Sequence, residues 1–402
     1  MKRWPTKPLE QIAELYGGST PSRDTPAFWG GDIYWVTPTD LPMPDEGISV
    51  VSKTKNRITQ AGLDNSSATV VPKGTVLFSS RATIGKVAIA DVPLTTNQGF
   101  ANFVPHPEVT SHFLAYALWF YREDIARLSS STTFREVSRS TLRKYHLPVP
   151  PLAEQERIVN LLDEADELRT LRTKSDRRTA AIIPSLFHEM FGRHIKLPPV
   201  LGLLEETSAP KGWAWSRLTD VARLATGHTP SRRVPEYWNG NIPWISLTDI
   251  RALDGTVAQN TSQSVTEVGI ENSSSVKLPK GTVCFSRTAS VGFVTVMGRE
   301  MCTSQDFVNW VCSDRLDPIY LMGALMQARE HLRSLASGST HKTIYFPTVE
   351  QFSVPVPPLG LQKEFAARVS EIRAVQAEQS ASHRRLDDLF QSMLHRSLNG
   401  EL

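Results

Sequence analysis

Short apolar runs separated by Pro/Gly turns fill the first 150 residues, and a long stretch free of both residues follows them. Val70-Val71 and Val76-Leu77-Phe78 flank Pro72-Lys73-Gly74, which reads as two strands joined by a turn. Lys86–Ala90 and Phe100–Val104 are further strand candidates. Phe113, Leu114, Ala117, Leu118 and Ile125 recur at helical spacing and predict a helix over Ser111–Leu128, with a counterpart at Ile319–Leu335. The mixture predicts an α+β domain built on a curved or barrel-like sheet.

From Glu154 to Ile183, and again from Gln362 to Leu398, proline and glycine are absent. In the first stretch a heptad reading puts Ile158, Leu162, Ala165, Ile183 and Leu186 on one seam, around a polar centre of Arg169, Arg172, Asp176 and Thr179. The second places Phe365, Val369, Ile372, Leu386, Phe390 and Met393 there, around Gln376, Gln379 and His383. Single helices of this kind are rarely stable alone, so the pair predicts an antiparallel coiled coil. The polar centres fit an interrupted seam, a register device or a surface for partner proteins. Pro184 removes an internal hydrogen bond and should kink or end the first helix.

The chain repeats itself. Gly18-Ser19-Thr20-Pro21-Ser22, then Trp29, Gly31, Ile33, Trp35 and Asp40, recur as Gly227-His228-Thr229-Pro230-Ser231, Trp238, Gly240, Ile242, Trp244 and Asp249, an offset of 209 residues. Further on the offset is 207: Pro72–Val76 matches Pro279–Val283, Thr96-Asn97-Gln98 matches Thr303-Ser304-Gln305, and Leu147–Leu152 matches Val354–Leu359. Gln155 and Gln362 then open the two long helices. The period is far too long for a solenoid, so each copy holds a complete domain plus a helix. The boundaries predicted are 1–150 and 208–357 for the domains, 152–195 for a central spacer helix and 359–398 for a distal one.

Bulk properties narrow the function classes. No apolar run approaches the roughly 20 residues of a membrane span, so no membrane partner is expected. Cys284, Cys302 and Cys312 show no paired spacing, which predicts a reducing, cytoplasmic setting without disulfides or a metal site. The net charge of +3 permits nucleic-acid binding only through local patches. There is no G-x-x-x-x-G-K-[ST], no H-E-x-x-H, no G-x-S-x-G and no Asn/Asp-Pro-Pro-aromatic tetrapeptide. The repeated polar positions form no acid–base pair, so no catalytic residue and no cofactor is expected.

What repeats instead is hydroxyl-rich loops carrying isolated cations, suited to phosphate and base-edge contact. The candidates in the first copy are Ser22 and Arg23, then Ser80, Arg81, Thr83 and Lys86, then Asn97 and Gln98, and finally Thr132, Thr133 and Arg135. In the second they are Ser231, Arg232 and Arg233, then Arg287 and Ser290, then Ser304 and Gln305, and finally Ser339, His341 and Lys342. Each such loop also fits a plain surface turn. Trp29, Trp35, Trp238 and Trp244 could stack on bases, but their place inside strand patterns favours core.

The G-x-T-P-S…W-x-G-x-I-x-W opening, P-K-G-T-V, the loop Arg81…Ile84-Gly85-Lys86 and the duplicated P-V-P-P-L-x-x-Q before a long helix resemble Type I restriction-modification specificity subunits. The resemblance covers essentially the whole chain, twice. It implies two target-recognition domains that each bind half of a split site in double-stranded DNA. It also implies an antiparallel coiled coil that spaces them and docks two modification (methyltransferase) subunits, with restriction subunits completing an ATP-dependent nuclease. A helix of about 30 residues is roughly 45 Å long, enough to hold two domains about one DNA turn apart. The copies differ in their loops, so an asymmetric target is expected, and adenine methylation by the partners implies an adenine in each half. Phe293 stands where the first copy has Lys86, which limits any role of that cation to one half-site. The rival readings are a stand-alone nucleic-acid-modifying enzyme, disfavoured by the missing motifs, and a coiled-coil adaptor whose domains bind proteins or glycans.

Overall fold

The computed structural model describes residues 4–129, 135–192, 211–338 and 342–401. They form two compact units, Met1–Lys174 with Ala381–Leu402 and Ser175–Ser380, and the boundary falls inside both long helices.

In the first unit a five-stranded sheet runs in the order Ala13–Gly17, Phe100–Pro105, Val76–Ser79, Val87–Ala90, Ile48–Val51. All its neighbours are antiparallel except the last pair. A three-stranded sheet places Trp29–Val36 between Asn56–Ile58 and Thr95–Thr96, and Thr6–Pro8 pairs with His146–Pro148. The second unit repeats this topology strand for strand. Its large sheet runs Ala222–Thr226, Phe307–Cys312, Val283–Ser286, Val294–Met297, Val257–Ala258, and Trp238–Ile245 lies between Gln263–Val265 and Cys302–Thr303. Even the register is kept, with Val76 opposite Phe103 and Val283 opposite Trp310.

The W-x-G-x-I-x-W motif encodes a bulge. Trp29 and Ile33 both register against Ile58, and Trp238 and Ile242 against Val265. A Cβ at Gly31 would press on the Ile58 carbonyl, 2.6 Å away, which is why the position stays glycine in both copies. The bulge aims the two tryptophans of each copy edge to face, with ring centroids 4.9 and 5.1 Å apart. Trp35 and Trp244 are buried, as the strand pattern favoured.

The predicted helix over Ser111–Leu128 is two helices, Ser111–Phe120 and Arg122–Arg127, with Tyr121 leaving helical geometry at φ −84, ψ 10. The second copy breaks at Ala328 in the same way. Ser111–Phe120 is buried almost all round against the large sheet. The first spacer helix spans Leu152–Ala180, breaks at Ala181 and resumes as Ile182–Met190. Pro184 therefore sits in a first turn, where a missing N–H leaves no intrahelical bond unmade. The distal helix is continuous from Leu359 to Asn399.

Within each unit the helices run in opposite directions. In the first, Arg169 faces Asp387 at 2.7 Å, and its guanidinium lies 4.5 Å from the Phe390 ring centroid. In the second, Gln376 donates to the Thr179 carbonyl (2.9 Å), and the Phe187 and Phe365 rings meet edge to face at 5.5 Å. Both pairs complete a domain core. Ile158, Leu162, Phe390, Leu394 and Leu398 are buried among Phe113, Trp119 and Phe103, while Phe187, Phe191, Phe365 and Val369 are buried among Trp310 and Tyr320. Among the described residues no helix is long and apolar enough to cross a membrane.

Candidate nucleic-acid interface

Each helix pair is fastened to its domain by one buried glutamine. Gln155 accepts from the Thr110 backbone N–H (2.9 Å) and donates to the carbonyls of Glu108 (2.8 Å) and Pro150 (2.9 Å). Gln362 accepts from Asp317 (2.8 Å) and donates to Arg315 (3.1 Å) and Pro357 (2.7 Å). The glutamine after P-V-P-P-L-x-x is thus a three-point staple, and the proline run presents the carbonyl it needs.

In the first unit four sequence-distant segments are gathered by hydrogen bonds. Ser19 N–H donates to the Thr96 carbonyl (2.9 Å), and the Thr20 hydroxyl to the Gln98 side chain (2.5 Å). Ser80 N–H donates to Gly99 (2.8 Å), Ala82 N–H to Arg135 (3.1 Å), and Val137 N–H to Ser80 (2.9 Å). Gly18 has no room for a side chain, since a Cβ would overlap the Asn97 carbonyl. Beneath them, buried Asn102 donates to the Thr96 hydroxyl (2.8 Å). The second unit repeats the arrangement. Thr229 donates to Gln305 (2.6 Å), Arg287 N–H to Asp306 (2.9 Å), Ala289 N–H to Lys342 (3.0 Å), and Asn309 to Thr303 (2.8 Å).

The loops around 18–20, 80–82, 96–99 and 135–137 and their counterparts are therefore gathered together in each unit, but the candidates on and beside them play different parts. Arg23, Arg81, Gln98 and Arg135 are exposed, as are Ser22, Ser231, Arg232, Arg233, Gln305 and Lys342. Arg81 is held by Glu136 at 2.8 Å, and Arg135 reaches the Ala126 carbonyl at 3.4 Å. Arg232 lies over Trp238, 4.7 Å from its centroid, and bonds Gln263. Thr83 and Asn97 are half-buried, and Asn97 accepts from Gly99 N–H (3.0 Å), bracing its own turn.

Four expected contacts are turned inward instead. Lys86 is buried, with its ammonium capped by the carbonyls of Pro38 (2.7 Å) and Leu41 (3.0 Å), so its charge serves the fold. Ser80 is buried against Gly99, Ser290 accepts from Arg251 (2.9 Å), and Ser304 donates to Asp306 (2.9 Å). Thr132, Thr133, Ser339 and His341 lie outside the described residues, as do positions 193–195 of the expected spacer.

Matched loops place their arginines differently. Along the 207-residue offset Arg287 corresponds to Ser80, and Arg81 to Thr288. Arg287 is half-buried over the Phe346 ring (4.6 Å), donates to the Gln305 carbonyl, and burial pulls its pKa below the usual arginine value. Arg57 was not singled out by the repeat, because the second copy pairs Ser264 at that register position; it is exposed, over Tyr34 at 4.5 Å. Loop-tip residues Ala82 and Ala289 both adopt φ +57, a left-handed conformation unusual for alanine.

Among the described residues no group of three His, Cys, Asp or Glu side chains could hold a metal. All three cysteines are free, and burial pushes the Cys302 and Cys312 thiols up to about 12, far from the thiolate form.

The profile of the Type I restriction modification DNA specificity domain matches residues 1–178 and 210–381. The Type I restriction enzyme MjaIX specificity subunit of Methanocaldococcus jannaschii is 35% identical over 257 residues, covering 61% of this chain and 58% of that protein. The EcoR124I/EcoR124II specificity subunit of Escherichia coli is 31% identical, covering 40% of this chain and 41% of its own length. The matched segments thus span about half the length of these relatives. The StySPI specificity subunit of Salmonella potsdam aligns over 99% of this chain and 89% of its own at 23% identity. A solved structure concerned with complex assembly and conformational transition of the type I R-M system shares the fold over 100% of this chain and 99% of its own, with a TM-score of 0.65 at 17% identity. A Type-I restriction-modification S subunit from M. genitalium, covering 98% and 96%, gives 0.56 at 15%.

Proposed function

Because the chain belongs to the family of Type I restriction modification DNA specificity domains, and carries that domain twice, we propose that it is the DNA-reading subunit of a Type I restriction-modification complex. The observation that carries this reading is the pair of matched loop surfaces, alike in backbone and different in side chains. Each surface reads one half of a split site in double-stranded DNA. Arg81, Arg23, Gln98 and Arg135 face one half; Arg232, Arg233, Gln305 and Lys342 face the other. A bidentate contact discriminates by about 1–3 kcal/mol, so useful specificity requires both halves to act together. Two modification subunits methylate adenine at the site the chain selects, and restriction subunits use ATP to cleave unmodified DNA. The chain itself performs no chemistry and works in the cytoplasm, where the genome is.

The two surfaces differ, so the target is asymmetric. Methylation-sensitive sequencing of cells carrying the chain with its modification subunits should expose one split motif, with an adenine modified on each strand and unlike halves. A contiguous or palindromic motif would overturn the reading. Methyl transfer or cleavage by the purified chain alone would favour the enzyme alternative instead. Because the spacer helices set the gap, inserting one heptad into the first of them should change the number of unread bases.

A further inference from the structure

The repeat allows the same place to be compared in both units, and at one place the copies diverge in a concerted way. In the first unit Tyr116, Trp119 and Phe390 pack together, with ring centroids 6.4 Å apart for Tyr116–Phe390 and 5.9 Å for Trp119–Phe390. The Tyr116 hydroxyl donates to Asp163 (2.8 Å), and Asp166 lies beside them. The space left there is about 210 Å3. At the 207-residue offset these aromatics correspond to Gly323, Met326 and Ile183, and Asp166 corresponds to Arg373. Rings are absent at these three positions and one acid becomes a base, while Phe187, standing where the first unit has Leu394, closes over Gly323 to within 2.8 Å of where a Cβ would lie.

The second unit keeps the resulting room as a cavity of about 650 Å3, a volume typical of small-molecule sites. Ile183, Phe187, Ile319, Met322 and Phe365 supply apolar walls, and Arg373, Gln376 and Thr179 add polar atoms. Arg373 donates to the Gly255 carbonyl and leans on the Met322 sulfur at 3.9 Å. Among the described residues it forms no ion pair. Asp176 and Asp254 also line the cavity, and Asp254 is taken up by Arg329 at 2.7 Å. A half-buried guanidinium without a carboxylate is costly unless an anion reaches it.

We infer that this cavity binds a small aromatic carboxylate, whose ring takes the place of the first unit's aromatic cluster and whose carboxylate pairs with Arg373. The ring fills the space left at Met326 and Ile183, against the Phe187 ring that covers Gly323. The carboxylate forms charge-assisted hydrogen bonds with the guanidinium. The site is independent of the DNA-facing loops.

The test uses the full chain and indole-3-acetate as probe, followed by calorimetric titration and by the rise in melting temperature. Saturable one-to-one binding is expected, with a dissociation constant of about 1 mM or tighter, the scale for a ligand of this size. Ile183→Phe and Met326→Trp restore the residues of the filled copy and should each abolish binding while leaving the far-ultraviolet circular dichroism unchanged. Arg373→Gln should weaken indole-3-acetate at least about tenfold, yet leave the neutral analogue indole-3-ethanol as it was. Absence of saturable binding to the unaltered chain overturns the proposal. So does binding that survives the filling substitutions, or that Arg373→Gln weakens equally for both probes. If the filling substitutions fail to fold, the two-probe comparison with Arg373→Gln decides alone.

Discussion

Gln155 shows how one side chain fixes a helix to a domain. It is fully buried, and removing its amide leaves the Thr110 N–H and two carbonyls without their partner. Each buried group so orphaned costs about 1–3 kcal/mol, so Gln155→Leu should lower stability by at least about 2 kcal/mol in denaturant unfolding. Gln362→Leu should do the same, and unchanged midpoints would show that the staple is dispensable. Asp249 makes a second residue-scale prediction. Burial alone would raise its pKa, but hydrogen bonds from Ser246 and Ser262 outweigh it and hold the carboxylate below the usual value. A depressed folded pKa means that the stabilisation is present above the unfolded value and is lost as pH falls through the folded one. Asp249→Asn should therefore flatten the acid limb of the stability profile below about pH 4, and an unaltered limb would contradict it. At the loop surface, Arg81→Ala should weaken binding to cognate DNA and reduce the salt slope by about one. Equal affinity at several salt concentrations would remove Arg81 from the interface.

At the scale of elements, the strands at Val76–Ser79, Val87–Ala90 and Phe100–Pro105 were legible because short apolar runs lay between turn residues. Val70 was not a strand residue, and Val71 makes only a lone bridge to Leu94. The helix over 111–128 hid its break, since an apolar period carries through Tyr121 while the backbone does not. The heptad seam placed Ile158, Leu162, Phe365, Val369 and Phe390 correctly as buried positions, but it passed over Phe187, Phe191, Leu394 and Leu398. Those four are buried in a domain core, where Phe187 and Phe191 pack on Tyr320 as well as on Phe365 of the partner helix, and a two-helix pattern has no register for that third surface. Among the loop candidates, sequence could gather residues into loops but could not tell which way Lys86 or Ser304 would turn. The loop tip offers its own test. Ala82 at φ +57 is strained for an L-residue, so Ala82→Gly should be neutral or stabilising by up to about 1 kcal/mol, and Ala82→Val destabilising. The reverse order in thermal melts would mean that the tip does not adopt this conformation in solution.

At the scale of the whole molecule, the chain's last turns belong to its first domain. Residues 381–402 cluster with 1–174, Phe390, Leu394 and Leu398 are buried in that core, and the Trp4 indole donates to the Ser397 carbonyl at 2.8 Å. Burying each of these three side chains is worth about 1.5–3 kcal/mol, and a domain's total stability is only about 5–15 kcal/mol. Removing residues 381–402 should therefore leave residues 1–174 marginal or unfolded. The core of the second unit draws its helical anchors, Phe187, Phe191, Phe365 and Val369, from residues the truncation keeps. Hydrogen exchange resolved by segment should then show protection lost over Val76–Ser79 and Phe100–Pro105 but retained over Val283–Ser286 and Phe307–Cys312. Equal loss in both sets would mean that the two copies fold as one cooperative body. Loss confined to the second set would mean that the distal helix ends on the other domain.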